Sequence, residues 1–246
     1  AQRAELPTDP LSTGISLRVI AGPVVGILLG VLAAASSPLA AVPLRILPWN
    51  KEVAERKLSI AYNDKELETG YLHPSARSEP VAIPAGATGL RVVTQDRTDE
   101  QGRPLSVALR LPSGVRRPLL ILLPDPKQKP GLRPFIIEDD PADFAWGSFR
   151  LFNVTPKALA FRWGKSGKEL KPGWTATDIE PGGEPRNLEV YLYDKGDLAN
   201  PLYRAVWEYR KDMRQLVFVV PSQDASLGPY QFKFVPETRL EEEDAE

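Results

Sequence analysis

Beyond residue 57, apolar residues recur at every second position in short runs, and each run is closed by proline or glycine. A period of two sends alternate side chains to opposite faces of a strand, so each run can bury one face and wet the other. No sustained helical stripe follows. The pattern predicts strands at 57–62, 80–83, 89–95, 105–111, 118–123, 134–138, 148–154, 158–163, 174–179, 188–193, 202–210, 215–220 and 229–235. Turn chemistry separates them: PAG at 84–86, PSG at 112–114, GKSGK at 164–168, KPG at 171–173 and PGG at 181–183. With 25 Pro and 18 Gly in 246 residues, the chain reads as many short elements joined by turns. The expected fold is all-β: an antiparallel β-sandwich.

Two stretches share a rhythm of strand, short return, Pro-Gly turn and strand, followed by a strong apolar strand. The first opens on KLSIAYNDKELETGYLHP and the second on SFRLFNVTPKALAFRWGKSGKELKPGWTATDI. They predict two similar halves, 57–140 and 147–236, with the boundary near 141–147. Residues 42–56 read as a lead-in, and 237–246, rich in Glu and Asp, as a disordered acidic tail. The stretch Phe149–Ile179 carries Asn153-Val-Thr-Pro156 after a strand and Lys171-Pro-Gly173 before one. It resembles repeats of exported bacterial β-sandwich proteins, whose roles are largely uncharacterised. The resemblance implies immunoglobulin-like halves in a cell envelope, and it transfers no catalytic residue.

An uncharged run, VIAGPVVGILLGVLAAASSPLAAVPL, spans Val19–Leu44 between Arg18 and Arg45. Its small residues and Pro38 suit a secretory signal cut after Ser37 or Ala41. The competing reading is an uncleaved membrane anchor over 19–44, although glycines and prolines make it a poor long helix. A buried core helix is a third reading, but the run has no polar face for water. The expected address is therefore exported, in the periplasm or cell envelope, with the membrane touched only through this N-terminal segment if it is uncleaved.

Charge and composition remove several functions. Lys and Arg number 31 against 32 Asp and Glu, which leaves no basic excess for a nucleic acid. No cysteine is present, which rules out thiol catalysis, disulfides and cysteine metal sites. The single histidine, His73, cannot build a zinc site that needs two or three. His73 lies near Ser75 and Ser78, but sequence neighbours in one loop rarely meet the spatial roles of a triad, so a loop histidine is expected. No cofactor and no catalytic residue is assigned. The candidate metal ligands are Glu138, Asp139, Asp140 and Asp143, which offer carboxylates in one loop to calcium. Asp96, Asp99 and Glu100 offer a similar loop. Asn153-Val-Thr155 matches a glycosylation acceptor.

Aromatic residues concentrate in the second half. In PLYRAVWEYR, Tyr203, Ala205, Trp207 and Tyr209 share one face, opposite Arg204, Glu208 and Arg210; this aromatic face is expected in the core. Trp163 and Trp174 are the candidates for an exposed ligand platform. The expected function is a non-catalytic envelope protein, structural or binding another envelope protein. The alternatives are a carbohydrate-binding module and a carboxylate-based hydrolase.

Overall fold

The computed structural model of the chain describes residues 41–239. The elements are β1 (Val42–Pro48), α1 (Lys51–Ala54), β2 (Leu58–Tyr62), β3 (Lys65–Glu68), β4 (Val81–Ile83), β5 (Arg91–Thr98), β6 (Pro104–Ala108), β7 (Pro118–Pro124) and β8 (Leu132–Glu138). They continue with β9 (Phe149–Asn153), β10 (Leu159–Trp163), β11 (Ser166–Leu170), β12 (Ala176–Ile179), β13 (Arg186–Asp194), β14 (Tyr203–Tyr209), β15 (Met213–Pro221) and β16 (Tyr230–Thr238). They form four sheets of four strands, in the orders β4-β1-β7-β8, β3-β2-β5-β6, β12-β9-β15-β16 and β11-β10-β13-β14. Adding eight to each strand number of the first pair of sheets reproduces the second pair. Pairing is antiparallel except for β1 with β7 and β9 with β15, which run parallel at equivalent places. The expectation of purely antiparallel sheets is corrected there.

Burial shows how the sheets stack. One core lies between β4-β1-β7-β8 and β3-β2-β5-β6, and holds Leu44, Ile46, Leu120, Leu122, Ile60 and Val92. A second lies between the last two sheets and holds Leu151, Val217, Val219, Phe161, Val190 and Trp207. A third joins the two inner sheets through Leu47, Leu119, Ile121, Phe152, Leu216 and Phe218. The architecture is sandwich-like and four layers deep. An inner strand is therefore apolar on both faces: in β7, Leu119 and Ile121 face one core while Leu120 and Leu122 face the other. That explains the unbroken run PLLILLP, as in sheets covered on both sides.

Hydrogen-bond register aligns the halves residue by residue. Arg45 pairs with Leu119 across β1–β7, and Arg150 with Leu216 across β9–β15. Pro118 pairs with Glu138 across β7–β8, and Gln215 with Pro236 across β15–β16. Leu47 therefore matches Phe152, Leu119 matches Leu216, Ile121 matches Phe218 and Ile137 matches Val235. All eight line the third core. Equivalent faces of the two halves thus pack on each other.

Three expectations are corrected. Residues 42–48 are not a lead-in: they form β1, with Leu44 and Ile46 fully buried at the centre of a sheet. Of the segment 19–44 read as signal or anchor, only residues 41–44 are described, and Val42–Leu44 belong to β1; no helix among the described residues is long and apolar enough to cross a membrane. The tail does not begin at 237, because Glu237 and Thr238 end β16 and Glu237 is buried. Strand β11 begins inside the segment 164–168 read as a turn, and β3 lies where no strand is expected. Residues 1–40 and 240–246, with most of the signal or anchor segment and the tail, lie outside the described residues.

Candidate functional site

Where the inner sheets meet, charged side chains enter an apolar interface. Their phase puts them there: Arg214 alternates with Leu216 and Phe218 on one face of β15, and Glu237 follows Val235 on β16. The Arg77 guanidinium grips Asp139 with both arms, Nε to Oδ2 at 2.6 Å and Nη2 to Oδ1 at 3.0 Å. Arg214 donates Nε to Glu237 Oε2 at 2.6 Å and brings Nη2 to the same oxygen at 2.5 Å. Its Nη1 donates to the Asp139 and Phe144 carbonyls at 2.9 and 3.2 Å. Arg45 pairs with Glu237 Oε1, and Arg77 Nε lies 3.4 Å from its Oε2. The Arg214 side chain is 1% exposed and stacks over Phe144 and Trp146. Bidentate pairing of this kind gives guanidinium its advantage over ammonium.

The cluster is legible as electrostatics. Burial pushes the Asp139 carboxyl up, but the charge and hydrogen bonds of Arg77, with Arg214 and Arg45, outweigh it and hold the group below its ordinary value. Among the described residues no buried side-chain nitrogen or oxygen lacks a hydrogen-bond partner. That satisfaction is the condition for tolerating buried ions.

Register again relates the participants. Arg214 pairs with Glu237 on β15–β16, and Asp139 N donates to Arg117 O one step beyond the Pro118–Glu138 pair. Arg117 and Asp139 are therefore the equivalents of Arg214 and Glu237, while Arg45 is the equivalent of Arg150. The two halves exchange partners: Asp139 of the first serves Arg214 of the second, and Glu237 of the second serves Arg45 of the first. Arg150 differs. Its Nε and Nη2 hold the Asp178 carboxylate at 2.7 Å each, across the β9–β12 register.

The acidic residues proposed for calcium serve other partners. Glu138 accepts the backbone N–H groups of Arg116, Arg117, Asp139 and Asp140 at 2.8–3.1 Å. Asp139 faces inward to Arg77. Asp140 and Asp143 both pair with the exposed Arg116. Four carboxylates adjacent in sequence thus point to a capped turn, a buried cluster and a surface arginine. No group of three or more His, Cys, Asp or Glu able to hold a metal occurs among the described residues. Asp96 and Asp99 pair with Arg56 and Arg103.

His73 is exposed beside Tyr71, and its Nδ1 accepts the Ser75 backbone N–H at 3.2 Å. Ser78 is buried, donates to the Glu79 carbonyl and accepts from Ile46 N, so it offers His73 nothing. Asn153 is buried: its amide donates to the Lys157 and Leu170 carbonyls and its oxygen accepts from Thr155. It ties the β9–β10 turn together, so the folded chain hides this glycosylation acceptor. Trp174 is half-buried at φ +68°, with ring centroids of Phe135, Trp49 and Phe218 at 4.7, 5.6 and 5.8 Å. It serves the third core rather than a platform. Trp163 is half-buried at the rim of a shallow hollow with Arg186, Asn187 and Glu189.

Sequence reading missed Arg45, Arg77, Arg214 and Glu237. A signal existed for two of them: Arg214 and Arg45 occupy the inward phase of otherwise apolar strands. Neither a protein-family model nor a curated protein matches the chain.

Lys233 also sits on the interface face of β16, at the position equivalent to Phe135. Its ammonium lies 5.7 Å over the Trp49 ring and donates to the Pro74 carbonyl. Burial lowers its pKa from 10.5 to about 8. The unfolded chain then binds more protons between these values, so stability should rise as pH goes from 8 to 10.5. The full difference is at most about 3 kcal/mol, and partial solvation reduces the expected rise to about 1 kcal/mol. Denaturant melts across this range test it, and Lys233→Met should flatten the rise.

Proposed function

We propose that the chain is a non-catalytic, exported protein of a bacterial cell envelope, built of two immunoglobulin-like sandwich halves and acting as a structural or protein-binding module. One observation carries the binding role. On the outer face of β11-β10-β13-β14, Tyr191 lies between Arg162 and Arg204, with guanidinium carbons 4.8 and 5.5 Å from its ring, and Val206 and Leu198 are exposed nearby. Tyrosine and arginine dominate the energetics of protein interfaces. The interior acids Asp139 and Glu237, by contrast, are committed to arginines, which argues against a carboxylate-based hydrolase. Export is supported by the run before β1: a cut after Ala41 would leave β1 whole. N-terminal sequencing of the envelope fraction should find a start between Pro38 and Val42, and a full-length chain held in membranes would establish an anchor instead.

Trp163 beside Arg186, Asn187 and Glu189 favours a second reading, a sugar-binding module, because a ring flanked by hydrogen-bonding groups suits a carbohydrate. One comparison separates the two. Cross-linked partners from native envelopes should be lost with Arg162→Glu/Tyr191→Ala and kept with Trp163→Ala. Saturable glycan binding lost only with Trp163→Ala would reverse the order.

A further inference from the structure

The two halves differ at a position beside the charged cluster, and a cavity lies there. Asp178 gives Arg150 a carboxylate across β9–β12. The β1–β4 register pairs Leu44 with Val81, and one step further sets Pro80 opposite Arg45. The first half thus carries proline where the second carries the arginine's counter-ion. Arg45 reaches instead through a single Nη1 to Glu237 of the other half. Pro80 and Arg45 line a cavity of about 250 Å³, together with Arg117, Arg214 and Asp139. Arg45, Arg117 and Arg214 are cationic, Asp139 is anionic, and the rest of the lining is proline. The volume is below the roughly 300–1,000 Å³ of ordinary ligand pockets, so an occupant must be small.

We propose that this cavity binds the carboxylate group of a small organic anion, which takes beside Arg45 the place that Asp178 takes beside Arg150. The guanidinium fork matches a planar carboxylate with two parallel hydrogen bonds, as Arg150 shows with Asp178. Chloride, a sphere, cannot accept that pair in the same geometry.

The test uses the full chain and two probes, acetate and succinate, against chloride at equal ionic strength. Calorimetric titration should show saturable carboxylate binding. At a hundredfold excess over the dissociation constant, the melting temperature should rise by about 5–10 °C. Pro80→Asp installs the missing carboxylate and should abolish both responses, while Pro80→Ala keeps them. Equal behaviour of carboxylate and chloride with the unaltered chain overturns the proposal, even if Pro80→Asp does not fold. So does an undiminished response in a folded Pro80→Asp. A response that appears only after residues 241–246 are deleted would assign the cavity to the chain's own acidic residues, and would also overturn it.

Discussion

Replacing Arg214 by methionine is expected to lower the unfolding free energy by about 3–5 kcal/mol. Removing one partner of a buried ion cluster leaves the other charges desolvated and unpaired, and that penalty exceeds the loss of the pair's own attraction. Arg214 meets Glu237 through two nitrogens and also satisfies the Asp139 and Phe144 carbonyls, so the change strands acceptors in both halves at once. Arg116→Ala is the control. Arg116 pairs with Asp140 and Asp143 at an exposed site, where ion pairs contribute about 0–1 kcal/mol. Denaturant midpoints of both variants decide the matter, and similar small effects would mean that the interface charges are solvated. Asp139 adds a pH dependence to the same cluster. Its folded pKa is lowered, so its contribution is complete above the ordinary value of 3.8 and disappears as pH falls below it.

Trp207→Ala should cost a similar amount, about 3–5 kcal/mol, as large aromatic truncations do in cores. Its ring centroid lies 5.1 Å from those of Phe161 and Phe234 and 5.2 Å from that of Phe232, so the change hollows out the second core where both its sheets contribute. Against a typical stability of about 5–15 kcal/mol, that loss is severe. Glu208, the next residue, is exposed on the opposite face of the edge strand β14, and Glu208→Ala should cost under about 0.5 kcal/mol. Equal effects would show that the alternation of this strand does not separate core from solvent.

Trp207 and Glu208 also show how much of the fold the sequence itself carries. Wherever one face is buried and the other wet, alternation marks the strand; apolar runs bounded by Pro or Gly, as at β7, mark others, and all thirteen expected segments are strands within a few residues. The three missed strands fail for two physical reasons. In β3 and β11, KELE and SGKEL are edge strands with most side chains exposed, so no apolar face marks them. In β1, both faces are covered, so Val42–Leu47 blends into the apolar run that precedes it. The acids of the charged cluster are illegible for a different reason. In sequence Asp139 looks like its neighbours Asp140 and Asp143, and Glu237 like the acidic run after it. Composition cannot tell a carboxylate that meets an arginine some sixty residues away from one that meets water.

The matching of Leu47 with Phe152, Ile121 with Phe218 and Asp139 with Glu237 makes the contact between the halves self-complementary, in the manner of a two-fold symmetric dimer interface. The chain is, in that sense, a dimer fused into one polypeptide. Fusion changes what such an interface can become. In a homodimer every substitution is made twice, and a lysine introduced on the axis-facing surface is introduced in both copies. In a fused chain each copy varies alone. Lys233 stands where the other half has Phe135, and Pro80 where the other has Asp178. A single chain that carries both halves therefore holds a pair of unequal sites that two identical subunits could not hold.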